Sequence, residues 1–440
     1  MYVKIILPLF CLFSSFLLAS PSIRVTKPIA LIDEEIGIEI RGLRPFQHVV
    51  LHAHTIDAKE IAWSSEAVFC SDERGRVRLT KNAPLEGSYR GVDSMGLFWS
   101  MQSDKGPETE FHVPDEMIID LDLIIETQPI ASKTIKRLKK SPEVKSFTIN
   151  EKGLVGHLYL PPSSQPLPII ITLNGANGGI SKEKAQLLAS RGFAVLALGY
   201  FGLKGLPEKL ENIPIEYFAK ALEWVQAQPD LDDKHIGLFG ISRGAELALL
   251  LGTHFPDKIH AIVAVAPSSV TFGALENTTI PAWLLNGKPM NPYPILPRTQ
   301  LPTLLGKDPK HPLEIAPLIA KAMEKNPSFE RASIPVEKIR CPLLLISGDD
   351  DKVWPALLFA SQIKQRLEEK NSKIFIKHYH YLKAGHQIGL PFIPNSTLYY
   401  HPSSQLWFST GGTPQDNAKA SRDSWEKTLV FFQNKLGLKR

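Results

Sequence analysis

Residues 238–251, LFGISRGAELALLL, place a serine between two glycines at the point where an apolar strand-like run gives way to an apolar helix-like run. This G-x-S-x-G pattern is typical of a nucleophile elbow, in which the chain turns sharply from strand to helix and holds the serine at the apex. Gly240 and Gly244 have no Cβ to obstruct such a turn. Three fixed positions also occur by chance, so the flanking sequence decides between Ser242 as a nucleophile and an ordinary loop.

The flanking sequence, from about residue 145 to 440, alternates apolar runs with stretches of helical spacing. The runs typical of buried strands are PIIITLNG, FAVLALGY, HIGLFG, KIHAIVAVAP and CPLLLISG. Helices are predicted at KEKAQLLASRGF, PIEYFAKALEWVQAQ, GAELALLLGTHF and RDSWEKTLVFFQNKL, and a hairpin at KSFTINEKGLVGHLYLPPS. The alternation predicts a mostly parallel sheet with helices on both faces. Ser242 then lies between a strand and a helix, which is the context that an elbow requires.

Residues 22–140 have a different pattern, typical of short β-strands. EEIGIEIRGLRP and HVVLHAHTI alternate apolar and polar residues, as half-buried strands do. WSSEAVFCSD, GRVRLT and GLFWSMQS are predicted as further strands, separated by turn residues. This spacing predicts a β-sandwich. It is immunoglobulin-like only in a loose sense, because no Cys-Trp-Cys framework is present.

A proline-rich segment, 281–335, interrupts the strand–helix alternation. It has one stretch of helical spacing, EIAPLIAKAMEK, and lies between two predicted sheet strands. Two interpretations are open: a cap over the pocket, or an insertion tolerated on the surface.

A serine hydroxyl needs a base to remove its proton, and after this elbow an acidic residue and then a histidine follow in the chain. The acid is expected just past a late strand, where LISGDDDKVW supplies three aspartates. Asp351 is favoured because it lies three residues beyond Gly348, where the chain has left the strand. Asp349 and Asp350 are the alternatives.

The base is expected past the last strand, in KIFIKHYHYLKAGHQIG. His378 and His380 alternate within a predicted strand, so they most simply decorate its face. His386 follows a glycine in a loop, where an imidazole can reach over the sheet edge. The pattern therefore predicts that Asp351 holds the Nδ1–H of His386 while Nε2 accepts the proton of Ser242.

The tetrahedral intermediate of such a reaction needs two backbone N–H donors. The N–H of Arg243, directly after the serine, is expected to be one. The second is expected from NGANGG, residues 174–179, and Ala176 is the predicted donor. A glycine-rich loop can also be a plain tight turn, but the carboxyl end of a central strand favours the functional interpretation.

Composition and charge are typical of a globular protein that does not bind nucleic acid. The chain of 440 residues is long enough for two or three domains, and its 43% hydrophobic and 22% charged residues are ordinary for a globular protein. A net charge of +5 without a basic run argues against a nucleic-acid partner.

Cys70 and Cys341 lie in different predicted domains and lack metal-ligand spacing, so we expect two buried thiols. No metal or organic cofactor is implied.

The first 20 residues, MYVKIILPLFCLFSSFLLAS, have one lysine, an apolar run and then small residues, the layout of a secretory signal peptide. The run is too short to span a bilayer comfortably, and Cys11 within it is badly placed for lipidation. We expect cleavage near Ala19 or Ser20 and an exported protein, periplasmic or secreted, without a stable membrane span. An uncleaved anchor and a wrongly assigned start are the alternatives, and without export the protein would be cytoplasmic.

Several stretches together resemble one family, the acyl-CoA thioesterases and bile-acid-CoA:amino-acid N-acyltransferases. They include IRGLRPFQHVVLHA, LEGSYRGVDSMGLFWSM, LFGISRGAELAL, LISGDDDKVW and AGHQIGLPFIP. The family joins an N-terminal immunoglobulin-like β-sandwich to an α/β-hydrolase domain, which implies the same fold for 22–140 and 145–440. By position, the resemblance also implies the triad Ser242, Asp351 and His386.

The identity of the nucleophile separates the two activities of this family. Its acyltransferases resemble this chain but carry cysteine at the nucleophile, whereas its thioesterases carry serine. An acyl-cysteine is a thioester open to attack by an amine, whereas an acyl-serine is an oxygen ester resolved by water. Ser242 therefore favours hydrolysis of acyl-CoA to a fatty acid and CoA. A secreted carboxylesterase with the same triad, an N-acyltransferase and a catalytically idle binding protein are the alternatives.

The phosphates of acyl-CoA would favour a basic entrance to the pocket. Candidate side chains, close in sequence to the predicted site, are Lys204, Arg243, Lys288 and Arg298. A solvated surface position is the simpler interpretation for each of them.

Overall fold

The computed structural model describes residues 20–294, 306–401 and 404–438. Residues 1–19 of the predicted signal peptide, with Cys11, lie outside the described residues, as does Arg298. Within the described part of the chain, no helix combines the length and apolar character that crossing a membrane requires.

Residues 22–138 form two packed β-sheets. Their strands are β1 Ser22–Val25, β2 Ile29–Leu31, β3 Ile38–Arg41, β4 His48–Ile56, β5 Ala62–Cys70, β6 Val77–Arg78, β7 Glu86–Gly87, β8 Gln102–Ser103, β9 Glu116–Ile125 and β10 Gln128–Leu138. The small sheet has the order β1-β3-β6 and the large one β2-β10-β9-β4-β5-β7, with β8 beside β5. On β4, Val49, Leu51 and Ala53 enter the shared core. The intervening histidines therefore lie on the outer face, as alternation predicts.

Of the strands predicted in this region, GLFWSMQS is wrong and GRVRLT is too long. GLFWSMQS forms a short helix, α1 Gly96–Trp99, before the two residues of β8. All four residues of α1 are buried, and a short apolar run does not distinguish a buried helix from a buried strand. GRVRLT contributes only β6.

Residues 145–438 contain an eight-stranded sheet with the order β11-β12-β14-β13-β16-β17-β20-β21. These strands are β11 Lys145–Glu151, β12 Leu154–Leu160, β13 Leu167–Leu173, β14 Ala194–Gly199, β16 Leu231–Ile241, β17 Ala261–Val265, β20 Leu343–Gly348 and β21 Ile376–Tyr381. β11 and β12 form the predicted hairpin, and β12 is antiparallel to β14. All neighbours from β14 to β21 are parallel. This arrangement confirms the α/β-hydrolase fold.

Helices cover both faces of this sheet. The helices found in the described part of this domain are α2 Lys182–Ser190, α3 Glu216–Gln226, α4 Arg243–His254, α5 Ala316–Lys325, α6 Ser328–Arg331, α7 Ala356–Glu369 and α8 Pro414–Lys435. α3, α4 and α7 share one core with the sheet, and α2 and α8 share the core on the opposite face. β13 is buried from Pro168 to Leu173 because both its faces are covered, which explains its continuous apolar sequence.

The smaller elements include the proline-rich segment. The remaining strands are β15 Ile213–Pro214, β18 Trp283–Leu285, β19 Lys288–Pro289, β22 Leu398–His401 and β23 Leu406–Ser409. Ile319 of α5 and Phe329 of α6 join a buried cluster with Phe272 and Trp354. The described part of the segment 281–335 therefore packs against residues near the carboxyl ends of the sheet strands. A cap function stays a prediction.

A buried carboxylate connects the two sheet systems. Asp33, whose side chain is 1% exposed, accepts hydrogen bonds from Arg191 Nη2 at 2.6 Å and Nε at 3.1 Å. Trp425 Nε1 of α8 donates to the same carboxylate at 2.8 Å. One side chain of the sandwich thus holds two helices of the hydrolase domain.

The two described cysteines are both unpaired thiols. Cys341 is buried as expected, and burial raises the pKa of its thiol to about 12. Cys70 is only half-buried, because it ends β5 at the margin of the sandwich. The expectation of two buried thiols is therefore wrong for Cys70.

Candidate active site

Ser242 occupies a strained turn between β16 and α4. Its φ of 54° and ψ of −122° are rare for a residue with a Cβ. A Cβ on Gly240 would lie 2.2 Å from the carbonyl oxygen of Gly244, and a Cβ on Gly244 would lie 2.2 Å from that of Leu173. The N–H of Ser242 donates to Val265 O of β17 at 2.9 Å. Both glycines are therefore required by close backbone contacts, and the turn has the geometry of an elbow.

Asp351 and His386 are brought together from loops that are 35 residues apart in sequence. Asp351 Oδ2 lies 2.7 Å from His386 Nδ1, and the side chains are 1% and 12% exposed. Asp351 Oδ1 accepts the N–H groups of Val353 at 2.9 Å and Trp354 at 3.2 Å. Both carboxylate oxygens are therefore engaged, which fixes the carboxylate and the ring that faces it.

The neighbourhood of His386 connects this pair to the elbow. The ring of Trp354 meets the ring of His386 edge-on at 5.9 Å, and Trp354 Nε1 donates to Ala266 O at 3.1 Å. Ala266 directly follows Val265, whose carbonyl holds the N–H of Ser242. Ser242, Asp351 and His386 thus follow the carboxyl ends of β16, β20 and β21, with the end of β17 between them.

The two alternative aspartates have other partners. Asp349 pairs with His380, with Oδ1 3.0 Å from Nδ1. Asp350 Oδ2 accepts the N–H of Gly412 at 2.9 Å, and Asp350 Oδ1 lies 3.0 Å from Lys352 Nζ. Among the three adjacent carboxylates, Asp351 is the one that the structure joins to His386.

His378 and His380 lie on β21, as the alternation predicts. His378 Nε2 is 2.8 Å from Ser347 Oγ, and burial lowers the pKa of His378 to about 4. Its ring therefore stays neutral at physiological pH and belongs to the packing of the strand.

The loop 174–179 passes directly beside the serine. A Cβ on Gly175 would lie 3.3 Å from the Cβ of Ser242. Asn174 Nδ2 donates to Gly178 O at 2.6 Å, which closes the loop on itself. Ala176 lies next to Gly175 in this loop, and its N–H as oxyanion donor stays a prediction.

Sequence reasoning missed a buried ion pair below the elbow. Arg243 Nη1 lies 3.1 Å from Glu246 Oε2, and the side chains are 6% and 0% exposed. Glu246 Oε1 accepts Trp283 Nε1 at 2.7 Å and the N–H of Phe272 at 3.1 Å. Burial raises the pKa of Glu246 even though Arg243 opposes the shift. The i, i+3 spacing of Arg and Glu in the first turn of α4 is the sequence signal that could have indicated the pair.

This ion pair corrects one expectation about substrate contacts. The guanidinium of Arg243 also donates to the carbonyl oxygens of Phe272 and Gly273, at 3.2 and 3.1 Å. Its charge is therefore satisfied inside the protein, and it is neither a solvated surface group nor a partner for substrate phosphates. Lys204 and Lys288 are exposed, as the simpler interpretation holds.

A cavity of about 380 Å³ adjoins the loop 174–179. Its lining includes Ala176 and Asn177 of the loop, and Tyr399, whose hydroxyl donates to Asn177 Oδ1 at 2.7 Å. The charged residues that line it are Glu110, Glu208, Lys209, Glu211 and Glu276. Because Lys209 is paired with Glu276, the wall beside the candidate site is acidic.

Two parts of the chain match family models. Residues 213–438 match the family described as BAAT / Acyl-CoA thioester hydrolase C terminal, and residues 33–151 match Acyl-CoA thioester hydrolase/BAAT N-terminal region. Acyl-coenzyme A thioesterase 1 of Rattus norvegicus is 31% identical over 422 residues, covering 92% of this chain and 94% of the relative. Acyl-coenzyme A amino acid N-acyltransferase 2 of Mus musculus is 31% identical over 426 residues, covering 92% and 96%. These matches confirm the resemblance in the sequence.

Among solved structures, the Pyrococcus horikoshii acylaminoacyl peptidase matches with a TM-score of 0.44 and 14% identity, over 93% of this chain and 60% of that chain. The two family matches and the relatives span both sheet systems. The chain is an enzyme that belongs to the BAAT/acyl-CoA thioester hydrolase family.

Proposed function

We propose that the protein is a serine thioesterase that hydrolyses acyl-CoA to a fatty acid and CoA through an acyl-Ser242 intermediate. The observation that supports this proposal most directly is the strained serine, at the same edge of the sheet as a buried Asp351–His386 pair, in a chain of the acyl-CoA thioester hydrolase family. A cysteine nucleophile would favour transfer to an amine, whereas an acyl-serine ester favours attack by water.

The proposed reaction has two steps. His386 Nε2 removes the proton of Ser242 Oγ as this oxygen attacks the thioester carbonyl carbon, and Asp351 stabilises the imidazolium. The C–S bond then breaks, and the thiolate leaves with the proton from His386. In the second step His386 Nε2 removes a proton from water as the water oxygen attacks the acyl carbon. The bond between this carbon and Ser242 Oγ then breaks, the fatty acid leaves, and Ser242 Oγ takes the proton back from His386.

The negative oxygen of each tetrahedral intermediate requires two N–H donors in this mechanism. We assign the first to the backbone N–H of Arg243, at the start of α4, where the helix dipole also favours negative charge. We assign the second to the loop 174–179, with Ala176 as the predicted donor. The closeness of Gly175 to Ser242 supports a donor from this loop.

A carboxylesterase with the same triad is the second candidate, and the acidic cavity favours it. A carboxylate-lined wall repels the phosphates of CoA, whereas a neutral ester carries no charge to repel. The cavity adjoins the loop beside Ser242, so its charge would act on an arriving substrate.

A three-substrate assay separates the two candidates. Protein lacking residues 1–20 would be given one acyl group as its CoA thioester, its pantetheine thioester and its p-nitrophenyl ester. Efficient release of CoA supports the thioesterase. Cleavage of the pantetheine thioester and the p-nitrophenyl ester without CoA release supports an enzyme that rejects the nucleotide, and cleavage of the p-nitrophenyl ester alone supports the carboxylesterase.

Ser242→Ala is the variant that tests the mechanism. We expect kcat/KM to fall by about 10³-fold or more for whichever substrate is cleaved. Ser163→Ala, in an exposed loop, is the matched control and should keep full activity. Turnover that survives in Ser242→Ala would show that another residue is the nucleophile, and no turnover of any substrate by the unmodified protein would favour the binding protein.

We also propose that residues 1–20 direct export of the protein. The support is the layout of the sequence alone: one lysine, an apolar run and small residues. Expression of the full chain in a bacterial host, followed by fractionation and N-terminal sequencing, tests this. A periplasmic product starting near Ser20 or Pro21 is expected, and an uncleaved cytoplasmic product would contradict the proposal.

A further inference from the structure

We propose that the outer face of the β-sandwich carries a binding site for a divalent transition-metal ion of the Zn²⁺ class, formed by His52, His54 and Asp122. One ring nitrogen of each histidine and one carboxylate oxygen of Asp122 all lie within 4.8 Å of one another. Two imidazoles and a carboxylate are a ligand set that suits Zn²⁺ and leaves a fourth position for water or another carboxylate.

The sheet places these three side chains together. His52 and His54 are two residues apart on β4, so they project from the same face. β9 runs antiparallel beside β4, with Asp122 opposite His52. The rings of the two histidines stack with their centroids 5.4 Å apart. Because Ala53 between them is fully buried in the core, the strand that presents both rings is held in place.

The distance between His54 Nδ1 and Asp122 Oδ2 fits two ligands of one ion better than it fits a direct hydrogen bond. His54 Nδ1 is buried from solvent and has no hydrogen-bond partner, although it lies 3.5 Å from Asp122 Oδ2. That separation is long for a hydrogen bond. In a tetrahedral zinc site with bonds of about 2.0–2.1 Å, two ligand atoms lie about 3.3 Å apart. An ion between Nδ1 and Oδ2 would give the buried nitrogen a partner.

Further carboxylates surround the three ligands. Asp120 lies opposite His54 on β9, with Oδ2 3.9 Å from His54 Nε2. Thr134 Oγ1 donates to Asp120 Oδ1 at 2.6 Å and so orients this carboxylate. Glu66 lies opposite His52 on β5. The negative charge around the histidines would stabilise a divalent cation, and Asp120 is positioned to orient a ligand or to become one.

The sequence did not indicate this site, because the alternation in HVVLHAHTI is fully explained by a half-buried strand. The partner Asp122 is 68 residues beyond His54 and meets it only through the pairing of β4 with β9. The site is on the sandwich and is separate from the Ser242 centre. A bound ion would cross-link two neighbouring strands and stabilise the folded state by mass action.

Calorimetric titration of chelator-treated protein with ZnCl2 tests the proposal. We expect one ion bound per chain at this site, and each of His52→Gln, His54→Gln and Asp122→Asn should weaken its affinity at least about tenfold. His48→Gln is the matched control, because His48 is exposed on the same face of the same strand but lies outside the cluster. It should change the affinity less than twofold.

Thermal unfolding of the same proteins gives a second readout. Zn²⁺ should raise the Tm of the unmodified protein and of His48→Gln, and at the same concentration should raise that of the three ligand variants less. Circular dichroism of each metal-free variant verifies that the sandwich is folded. Absence of Zn²⁺ binding, or binding that the three ligand variants leave unchanged, would overturn the proposal and leave these residues as surface ion pairs.

Discussion

At the scale of single residues, Asp351 differs from Asp349 and Asp350 in its burial and in the partners of its carboxylate. All three lie in the same turn after β20, and the residue type is identical. Asp351 alone of the three contacts His386, and the N–H groups of Val353 and Trp354 hold its other carboxylate oxygen. Its assignment as the triad acid can therefore be tested by a change that leaves the shape of the side chain nearly intact.

Asp351→Asn should lower kcat by about 10³-fold, because an amide can favour the wrong tautomer of His386 and cannot stabilise the imidazolium. Steady-state kinetics with the best substrate measure this. Asp349→Asn is the control and should keep most of the activity, since its partner His380 is 57% exposed. Equal losses in the two variants would contradict the assignment.

The buried Arg243–Glu246 pair lies in the first turn of α4, directly after the elbow. Both groups are removed from water, and Glu246 also holds Trp283 and the backbone of Phe272. Removing one charge of a buried pair leaves the other uncompensated, which costs more than the pair itself contributes.

Glu246→Gln should lower the free energy of unfolding by about 3 kcal/mol, because the guanidinium of Arg243 would stay buried without a counter-charge. Urea unfolding followed by tryptophan fluorescence measures the loss. Glu223→Gln, at an exposed position on α3, should change stability by less than about 0.5 kcal/mol. A loss below about 1 kcal/mol in Glu246→Gln would mean that water reaches this pair.

At the scale of elements, the elbow depends on how closely β16, α4 and β13 approach one another. The carbonyl oxygens of Leu173 and Asn174 lie 2.2 and 2.4 Å from where a Cβ on Gly244 would be. Because backbone atoms form these contacts, a side chain at this position forces the strand and the helix apart.

Gly244→Ala should therefore destabilise the protein by about 3 kcal/mol and displace Ser242 enough to remove activity. Gly389→Ala is a matched control, since a Cβ on Gly389 meets nothing within 4 Å and the backbone there has no positive φ. Urea unfolding and the hydrolysis assay measure both effects. An active, stable Gly244→Ala protein would show that α4 can shift without losing the elbow.

β21 carries a titratable group that couples stability to pH. The folded protein keeps His378 neutral, because burial lowers its pKa from 6.5 to about 4, with a smaller effect from His380. The unfolded chain is protonated near the ordinary value, so unfolding takes up a proton between about pH 6.5 and about pH 4. Stability from this group is thus present above that window and is lost as the pH falls through it.

Between about pH 7.5 and about pH 5, the free energy of unfolding of His378→Asn should fall by on the order of 1 kcal/mol less than that of the unmodified protein. This difference is reduced by the partial exposure of the His378 ring to solvent. Urea unfolding at the two pH values measures the difference. His48→Gln should keep the full loss, because His48 is exposed and distant in sequence from β21. If His378→Asn loses as much stability as the unmodified protein, the ring is not held neutral by the fold.

At the scale of the whole molecule, Asp33 links the sandwich to α2 and α8. Its carboxylate is 1% exposed and accepts from Arg191 and Trp425. A second link, Arg422 to Glu35 at 2.5 Å, is 46% and 42% exposed and is therefore screened by solvent.

Asp33→Ala should lower stability by about 2–3 kcal/mol and make the two sheet systems unfold in separate steps, because it strips three charge-assisted hydrogen bonds from the interface. Calorimetry and urea unfolding show the number of transitions. Arg422→Gln should cost less than about 1 kcal/mol and keep the same number of steps as the unmodified protein. A single unchanged transition in Asp33→Ala would mean that the other contacts between the domains, which include the Arg422–Glu35 pair, are sufficient to hold them together.

The sequence alone determined the fold class, the strand–helix alternation and the position of the elbow. These features depend on periodicities and glycines that are local in the chain, so short windows suffice to identify them. The prediction of a strand at GLFWSMQS is wrong, because a short apolar run does not distinguish a buried helix such as α1 from a buried strand.

Only the tertiary structure decided which side chains meet. It joined Asp351 to His386, buried Arg243 against Glu246, and brought His54 beside Asp122. Each of these contacts depends on distance and direction between backbone segments, and residue types alone carry neither. The sequence could therefore name Ser242 and favour Asp351 and His386 among the acids and bases, while the packing of strands and loops supplied the contact between Asp351 and His386.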